Sequence, residues 1–121
     1  EDEIIVACEL PLLADDTRTG FVEHSRRKGD FAVAMALVTY RLENGVIAEP
    51  HIGIGGAESH ARRFSEAEDC LRGKSPGTEA FVEAAERAAA ICDPIEDINN
   101  TIAYRRGVVR TMVLRALENA A

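Results

Sequence analysis

Apolar residues alternate with others along the first half of the chain and recur every three or four residues along the second half. Residues 4–10 put Ile4, Val6, Cys8 and Leu10 on one side and Ile5, Ala7 and Glu9 on the other, which is the spacing of a strand. Pro11 ends it, because proline brings no N–H to a ladder. Residues 14–20 are polar and turn-rich and predict a loop. Phe21 to His24 follow as a short strand, then a compact basic loop, Ser25-Arg26-Arg27-Lys28-Gly29-Asp30. From Phe31 to Tyr40 the run is continuously apolar, so its period decides nothing: the alanines favour a helix, and Val, Thr, Tyr and Phe favour a strand. Asn44-Gly45 arbitrates, since both residues tolerate the positive φ of a type I′ turn. The prediction is a hairpin pairing 33–42 with 46–54, with room for a short helix where the first segment opens. Pro50 marks a sheet edge or a bulge.

After Gly53, Gly55 and Gly56 the pattern turns helical. Residues 65–72 offer Ser65 as N-cap and early acids that suit the helix dipole, and Gly73 follows as a left-handed stop. Residues 79–92 carry Phe81, Ala84, Ala85, Ala88 and Ile91 on one face, until Asp93-Pro94 breaks the helix. A last helix over 99–119 repeats Ile102, Val109, Met112, Val113, Ala116 and Leu117. Strands first and helices after predict an α+β fold: an antiparallel sheet of three or four strands followed by three helices packed on one face.

The 121 residues suit one domain. A net charge of -7 argues against a nucleic-acid partner, whose footprint is a basic surface. No apolar run approaches the roughly 18 residues of a membrane span, and Glu1-Asp2-Glu3 lack the basic flank of a signal peptide. Cys8, Cys70 and Cys92 are odd in number and far apart, which favours reduced thiols in the cytoplasm. All three sit among apolar neighbours and read as core thiols. His24, His51 and His60 are not at ligand spacing, so no metal is assigned.

Four segments go further. Glu3-Ile4-Ile5-Val6 with Leu10-Pro11 resembles the opening strand of the C-terminal domain of the FAD-binding medium subunit of molybdenum hydroxylases, the carbon monoxide dehydrogenase and xanthine dehydrogenase family. Phe21 through Ala32 is similar to that family's basic loop, in which an arginine, two variable residues, an aspartate, a bulky apolar residue and an alanine follow one another. Ile54-Gly55-Gly56-Ala57, with Ala67-Glu68 and Leu71-Arg72-Gly73, resembles its Gly-Gly turn and following helix. Asp93-Pro94 through Tyr104-Arg105-Arg106 and Leu114-Arg115-Ala116-Leu117 resembles its closing helix.

The resemblance implies one domain over 1–121 cut from a longer subunit, inactive by itself. An upstream FAD-binding domain would hold most of the cofactor. A molybdopterin-binding large subunit and a small subunit with 2Fe–2S clusters would be the partners. It also implies that the basic loop lies near the isoalloxazine ring and the entrance for the electron acceptor. Arg26, Arg27, Lys28 and Asp30 are therefore the candidate cofactor-binding residues. The cations would stabilise negative charge on the ring, Gly29 would let backbone approach, and Asp30 would cap the next segment or brace an arginine. Where some family members carry lysine this chain has Val22, so a contact from that position is in doubt. Without the resemblance the loop is a solvated charge run, and Tyr104-Arg105-Arg106 is packing and helix-surface charge. The remaining alternatives are a subunit-interface module without cofactor contact and an unrelated small ligand-binding domain.

Overall fold

The structure, a computed structural model, describes residues 3–121. Four strands form one antiparallel sheet in chain order: β1 Arg18–His24, β2 Ala34–Glu43, β3 Val46–Gly55 and β4 Arg62–Arg63. Three helices follow: α1 Ser65–Asp69, α2 Thr78–Ile91 and α3 Ile102–Ala120. The α+β architecture is as the pattern predicts.

The hairpin forms where Asn44-Gly45 place it. Asn44 has φ 52° and Gly45 φ 81°, the paired positive values of a type I′ turn. No helix opens β2, which is extended from Ala34 because the run lies across a ladder with β1 and β3 on either side. Pro50 belongs to a bulge: Thr39 pairs with His51 and Arg41 with Ala48, so Glu49 and Pro50 together face Tyr40. Glu49 takes the left-handed conformation there, at φ 49°.

Period two decides which face is covered. Ala34, Ala36, Val38 and Tyr40 of β2, with Ile47, Pro50, Ile52 and Ile54 of β3, are buried on one face. The helices lie over it, α3 against β1 and β2, α1 against β3, and α2 against both other helices. Phe81, Ala84, Ala85 and Ala88 of α2 pack with Val109, Met112, Val113, Ala116 and Leu117 of α3 in the same core. The opposite sheet face stays open, with Phe21 and Leu37 about half exposed.

Several expectations need correction. Residues 4–10 form no strand: they pair with none of the four strands, and their apolar side chains are exposed. Cys8 is thus exposed rather than core, Cys70 is half-buried against the core, and Cys92 is buried as expected. The loop over 14–20 shrinks to a turn closed by Thr17 N–H donating to Ala14 O (2.9 Å), and β1 is already paired from Arg18. The first helix is shorter than 65–72, and Phe64, not Ser65, is its N-cap. The Ser65 hydroxyl donates instead to Glu66 Oε2 (3.2 Å). Gly73 does take φ +74°, where its N–H donates to Ile47 O (2.8 Å). The last helix begins at Ile102, later than 99, because Asn99 and Asn100 are held in a turn around Asp97. Thr101 caps it, accepting from Tyr104 N–H (3.2 Å).

Gly20 sets the distance between sheet and helix. A Cβ there would stand 1.9 Å from Ala116 O, so any side chain would push α3 off β1. Gly20→Ala is expected to lower stability by about 2–3 kcal/mol through overpacking. Gly53→Ala, whose Cβ would meet nothing closer than Leu37 O at 3.8 Å, should cost well under half of that. Urea unfolding of both variants checks this; equal midpoints would contradict the packing described.

Candidate functional site

The basic loop is a protrusion held at its neck. β1 ends at His24 and β2 begins at Ala34, and Val33 N–H donates to His24 O (2.8 Å) to close the base. Within the loop Ser25 Oγ donates to Arg27 O (3.0 Å), and Asp30 N–H donates to the same oxygen (3.1 Å). Gly29 makes the reversal possible at φ +90°, a value strained for any other residue. Arg26, Arg27 and Lys28 are all exposed. None of the three forms an ion pair with an acid among the described residues, and neither do Arg18, Arg87, Arg106 and Arg115, whereas Arg41, Arg62, Arg63, Arg72, Lys74, Arg105 and Arg110 do; what sets the loop apart is three unpaired cations in a row. Phe31, next to them, is 99% exposed. Asp30 shapes the loop through its backbone; among the described residues its carboxylate braces no arginine.

Behind the loop stands Arg105, only 5% exposed. Its Nη1 donates to Val33 O (3.0 Å) and to Gly56 O (2.9 Å), and its Nη2 pairs with Asp97. One side chain of α3 thereby joins the loop exit, the Gly55-Gly56 turn and the segment before α3. The turn is pressed against the loop: Gly56 has φ +79°, and a Cβ on it would stand 2.7 Å from Ala32 O. Asp97 is organised in the same way from its other side, accepting from the N–H groups of Asn99 (2.7 Å) and Asn100 (2.8 Å). The Asn99 N–H first, then the Asn100 side chain and the Arg105 guanidinium, bring its pKa down to about 2. Between the loop and the Asp97–Asn100 segment lies a cavity of about 380 Å³, lined among others by Arg26, Asp30, Phe31, Asn99 and Arg105.

Of the candidate residues, the structure brings Arg26 and Asp30 to this cavity and leaves Arg27 and Lys28 outside its lining. The histidines are each occupied singly: His24 Nε2 with Tyr104 Oη (3.2 Å), His51 Nδ1 with Thr39 Oγ1 (3.2 Å) and His60 Nδ1 with Ser59 Oγ (3.1 Å). Among the described residues no three His, Cys, Asp or Glu side chains gather as metal ligands. Sequence reasoning did not single out Arg105 and Asp97 as the support of the loop. A charged residue inside the apolar repeat of the last helix was the signal available.

Residues 20–120 match the CO dehydrogenase flavoprotein C-terminal domain family. The chain is 35% identical over 120 residues to the 6-hydroxypseudooxynicotine dehydrogenase complex subunit alpha of Paenarthrobacter nicotinovorans, covering 98% of this chain and 40% of that protein. It is 32% identical over 121 residues to the carbon monoxide dehydrogenase medium chain of Hydrogenophaga pseudoflava, covering 100% of this chain and 42% of that one. Among solved structures, the carbon monoxide dehydrogenase from Hydrogenophaga pseudoflava that lacks the Mo-pyranopterin moiety matches with a TM-score of 0.86 at 33% identity, over 92% of this chain and 39% of that one. The chain thus spans about two fifths of the length of these relatives.

The Arg105 and Asp97 geometry has a pH signature. The folded-state pKa of Asp97 lies below its ordinary 3.8, so its ionised form stabilises the fold above about pH 4. That contribution is lost as pH falls through about 2. Asp97→Asn is expected to be less stable than the parent at pH 7, with the gap closing between pH 4 and pH 2. Urea unfolding at these three pH values measures it, and a gap that stays constant would contradict the assignment.

Proposed function

Because the chain belongs to the CO dehydrogenase flavoprotein C-terminal domain family, we propose that it is that domain of the flavoprotein subunit of a molybdenum hydroxylase-type enzyme, with loop 25–31 facing bound FAD. The observation that carries the reading is the row Arg26-Arg27-Lys28: three exposed cations without acid partners among the described residues, in a chain of net charge -7. An acidic chain has carboxylates enough to pair them. Leaving them unpaired directs their field outward, which suits an electron-rich or anionic group held opposite the loop. Phe31 adds an exposed aromatic face beside the charges. FAD, when bound, supplies two-electron redox chemistry between 2Fe–2S clusters and an acceptor. The residues of this chain contribute positive potential and position, and no proton transfer or bond-making is assigned to them. Substrate choice belongs to the molybdenum site of another subunit.

A second reading, that the domain buttresses a subunit interface, is favoured by the open sheet face. Phe21, Met35, Leu37, Gly53 and Ala61 there line an apolar hollow of about 400 Å³. The hollow and the loop's cavity share no lining residue, so the two roles are compatible.

The test is made in the intact flavoprotein. A unit charge about 6 Å from the ring interacts by roughly 3 kcal/mol at an effective dielectric near 20. Solvent around the exposed loop reduces that to about 1–2 kcal/mol. At roughly 30 mV per 1.4 kcal/mol for two electrons, Arg27→Gln or Lys28→Gln is expected to lower the flavin potential by a few tens of millivolts. Arg110→Gln, whose parent residue pairs with Glu86 on α2, serves as control and should leave the potential in place. Loop variants with the parent's potential and acceptor kinetics would reduce the loop to a solvated charge run.

A further inference from the structure

The basic loop leaves the sheet at His24 and returns at Val33, and two adjacent residues of α3 reach one end each. Tyr104 Oη stands 3.2 Å from His24 Nε2 at the entry. Arg105 Nη1 donates to Val33 O (3.0 Å) at the exit. His24 is available for this because β1 alternates: Gly20, Val22 and His24 are its more buried positions, and α3 packs against β1. The contact needs no particular imidazole tautomer, since a hydroxyl both gives and accepts. The ladder sets the two loop ends side by side, with Val33 N–H donating to His24 O (2.8 Å), and the α3 side chains then fix that pair against the helix. One such contact leaves a pivot. A second, at the other end of the loop, removes it.

The first turn of α3 is itself held. Thr101 Oγ1 accepts from Tyr104 N–H (3.2 Å), and Asp97 pairs with Arg105 while it accepts from the N–H groups of Asn99 and Asn100. Lys28 is four residues from His24 and five from Val33. At about 3.3 Å per residue the tip lies at most about 13 Å beyond the neck, where a tilt of about 10° moves it by about 2 Å. A unit charge carried in this way from about 6 to about 8 Å from an anionic group loses about a quarter of its interaction, which falls as the inverse of distance. Arg26, Arg27 and Lys28 would all move together.

We propose that Tyr104 and Arg105 are positioning residues for the basic loop. Together they set how far its three cations stand from the flavin, and so how strongly the loop acts on it. Both act through the loop, with no contact of their own to the cofactor. This rests on the reading that the loop faces FAD.

The loop carries its own probe, because trypsin cuts after arginine and lysine, and Arg26, Arg27 and Lys28 are exposed. Tyr104 is 48% exposed, so its hydroxyl can be removed without opening the core. In the intact flavoprotein with FAD bound, Tyr104→Phe is expected to speed cleavage in the loop on the order of 2- to 10-fold, the loss of one hydrogen bond read as a larger open population. Cleavage at Arg87, within α2, should keep the parent rate. The flavin potential should fall as well, by less than in Lys28→Gln. In the double variant Tyr104→Phe/Lys28→Gln the two shifts should sum to less than their separate values, because a withdrawn charge has less effect to lose. Arg105→Lys keeps the charge but not the fork that reaches two carbonyls, and should act in the same direction. Arg110→Gln should change none of these. Loop cleavage at the parent rate in Tyr104→Phe would overturn the proposal. So would a rise matched at Arg87, which describes general destabilisation. A loosened loop with an unmoved potential, or shifts that add in full, would also reject it when Lys28→Gln alone moves the potential. Should Lys28→Gln leave the potential in place, the FAD reading fails instead, and faster loop cleavage in Tyr104→Phe still shows the hold on the loop.

Discussion

The guanidinium of Arg105 fastens the segment before α3 to the loop exit and the turn after β3, which the β2–β3 ladder sets side by side. Its two bonds to Val33 O and Gly56 O and its pairing with Asp97 satisfy acceptors on the loop exit, the turn after β3 and the approach to α3. A charge at 5% exposure is expensive to bury, and these partners are what make it tolerable. The consequence is positional. The neck of the basic loop is fixed from the back by a helix of 19 residues that is itself packed into the core. The tip, whose cations pair with no acid among the described residues, can then carry its charges outward from a defined base.

A similar use of buried charge occurs where α1 meets β3 and β4. Glu68 of α1 is 1% exposed, accepts from Ile52 N–H (2.9 Å) and pairs with Arg63 (2.6 Å) of β4. Burial raises its pKa, but Arg63 and the Ile52 N–H together outweigh that and hold it below the ordinary value. The neighbouring Arg62 stacks over Phe64 at 4.0 Å and pairs with Glu58, which also accepts from Asp93 N–H (2.7 Å). A strand of two residues thus joins β3, α1 and the end of α2 through side chains more than through its ladder. Beside it, burial and the Glu58 carboxylate push the Cys92 thiol up to about 12, so this cysteine is an inert filler.

What could be read in the sequence was what local chemistry settles. Asn44-Gly45 can make one kind of turn well, and the hairpin followed despite the alanines of β2. Asp93-Pro94 and the repeat of Val109, Met112 and Leu117 placed the last two helices to within a few residues. The failures have a common cause in partners distant along the chain. Residues 4–10 have the right period but pair with none of the four strands described. Arg62-Arg63 lack strand character and become β4 only because Gly53 and Ile54 present an edge. Ser65 is a better cap than Phe64 by chemistry, but burial of Phe64 in the core set the start of α1. Arg105 read as packing, which it is. That this packing supports the loop required knowing that residues 33, 56, 97 and 105 meet.

In functional terms the domain offers a fixed base and an unpaired positive tip, and the account stands on what that tip faces. The most direct measurement is a structure of the intact flavoprotein subunit with FAD bound. The account predicts side-chain or backbone atoms of residues 25–31 within ~6 Å of the isoalloxazine ring, the range over which a charge shifts a neighbour's equilibrium. It also predicts Arg105 still bound to Val33 O and Gly56 O behind the loop. A ring lying well beyond that range, with Arg26, Arg27 and Lys28 in bulk water, would contradict it.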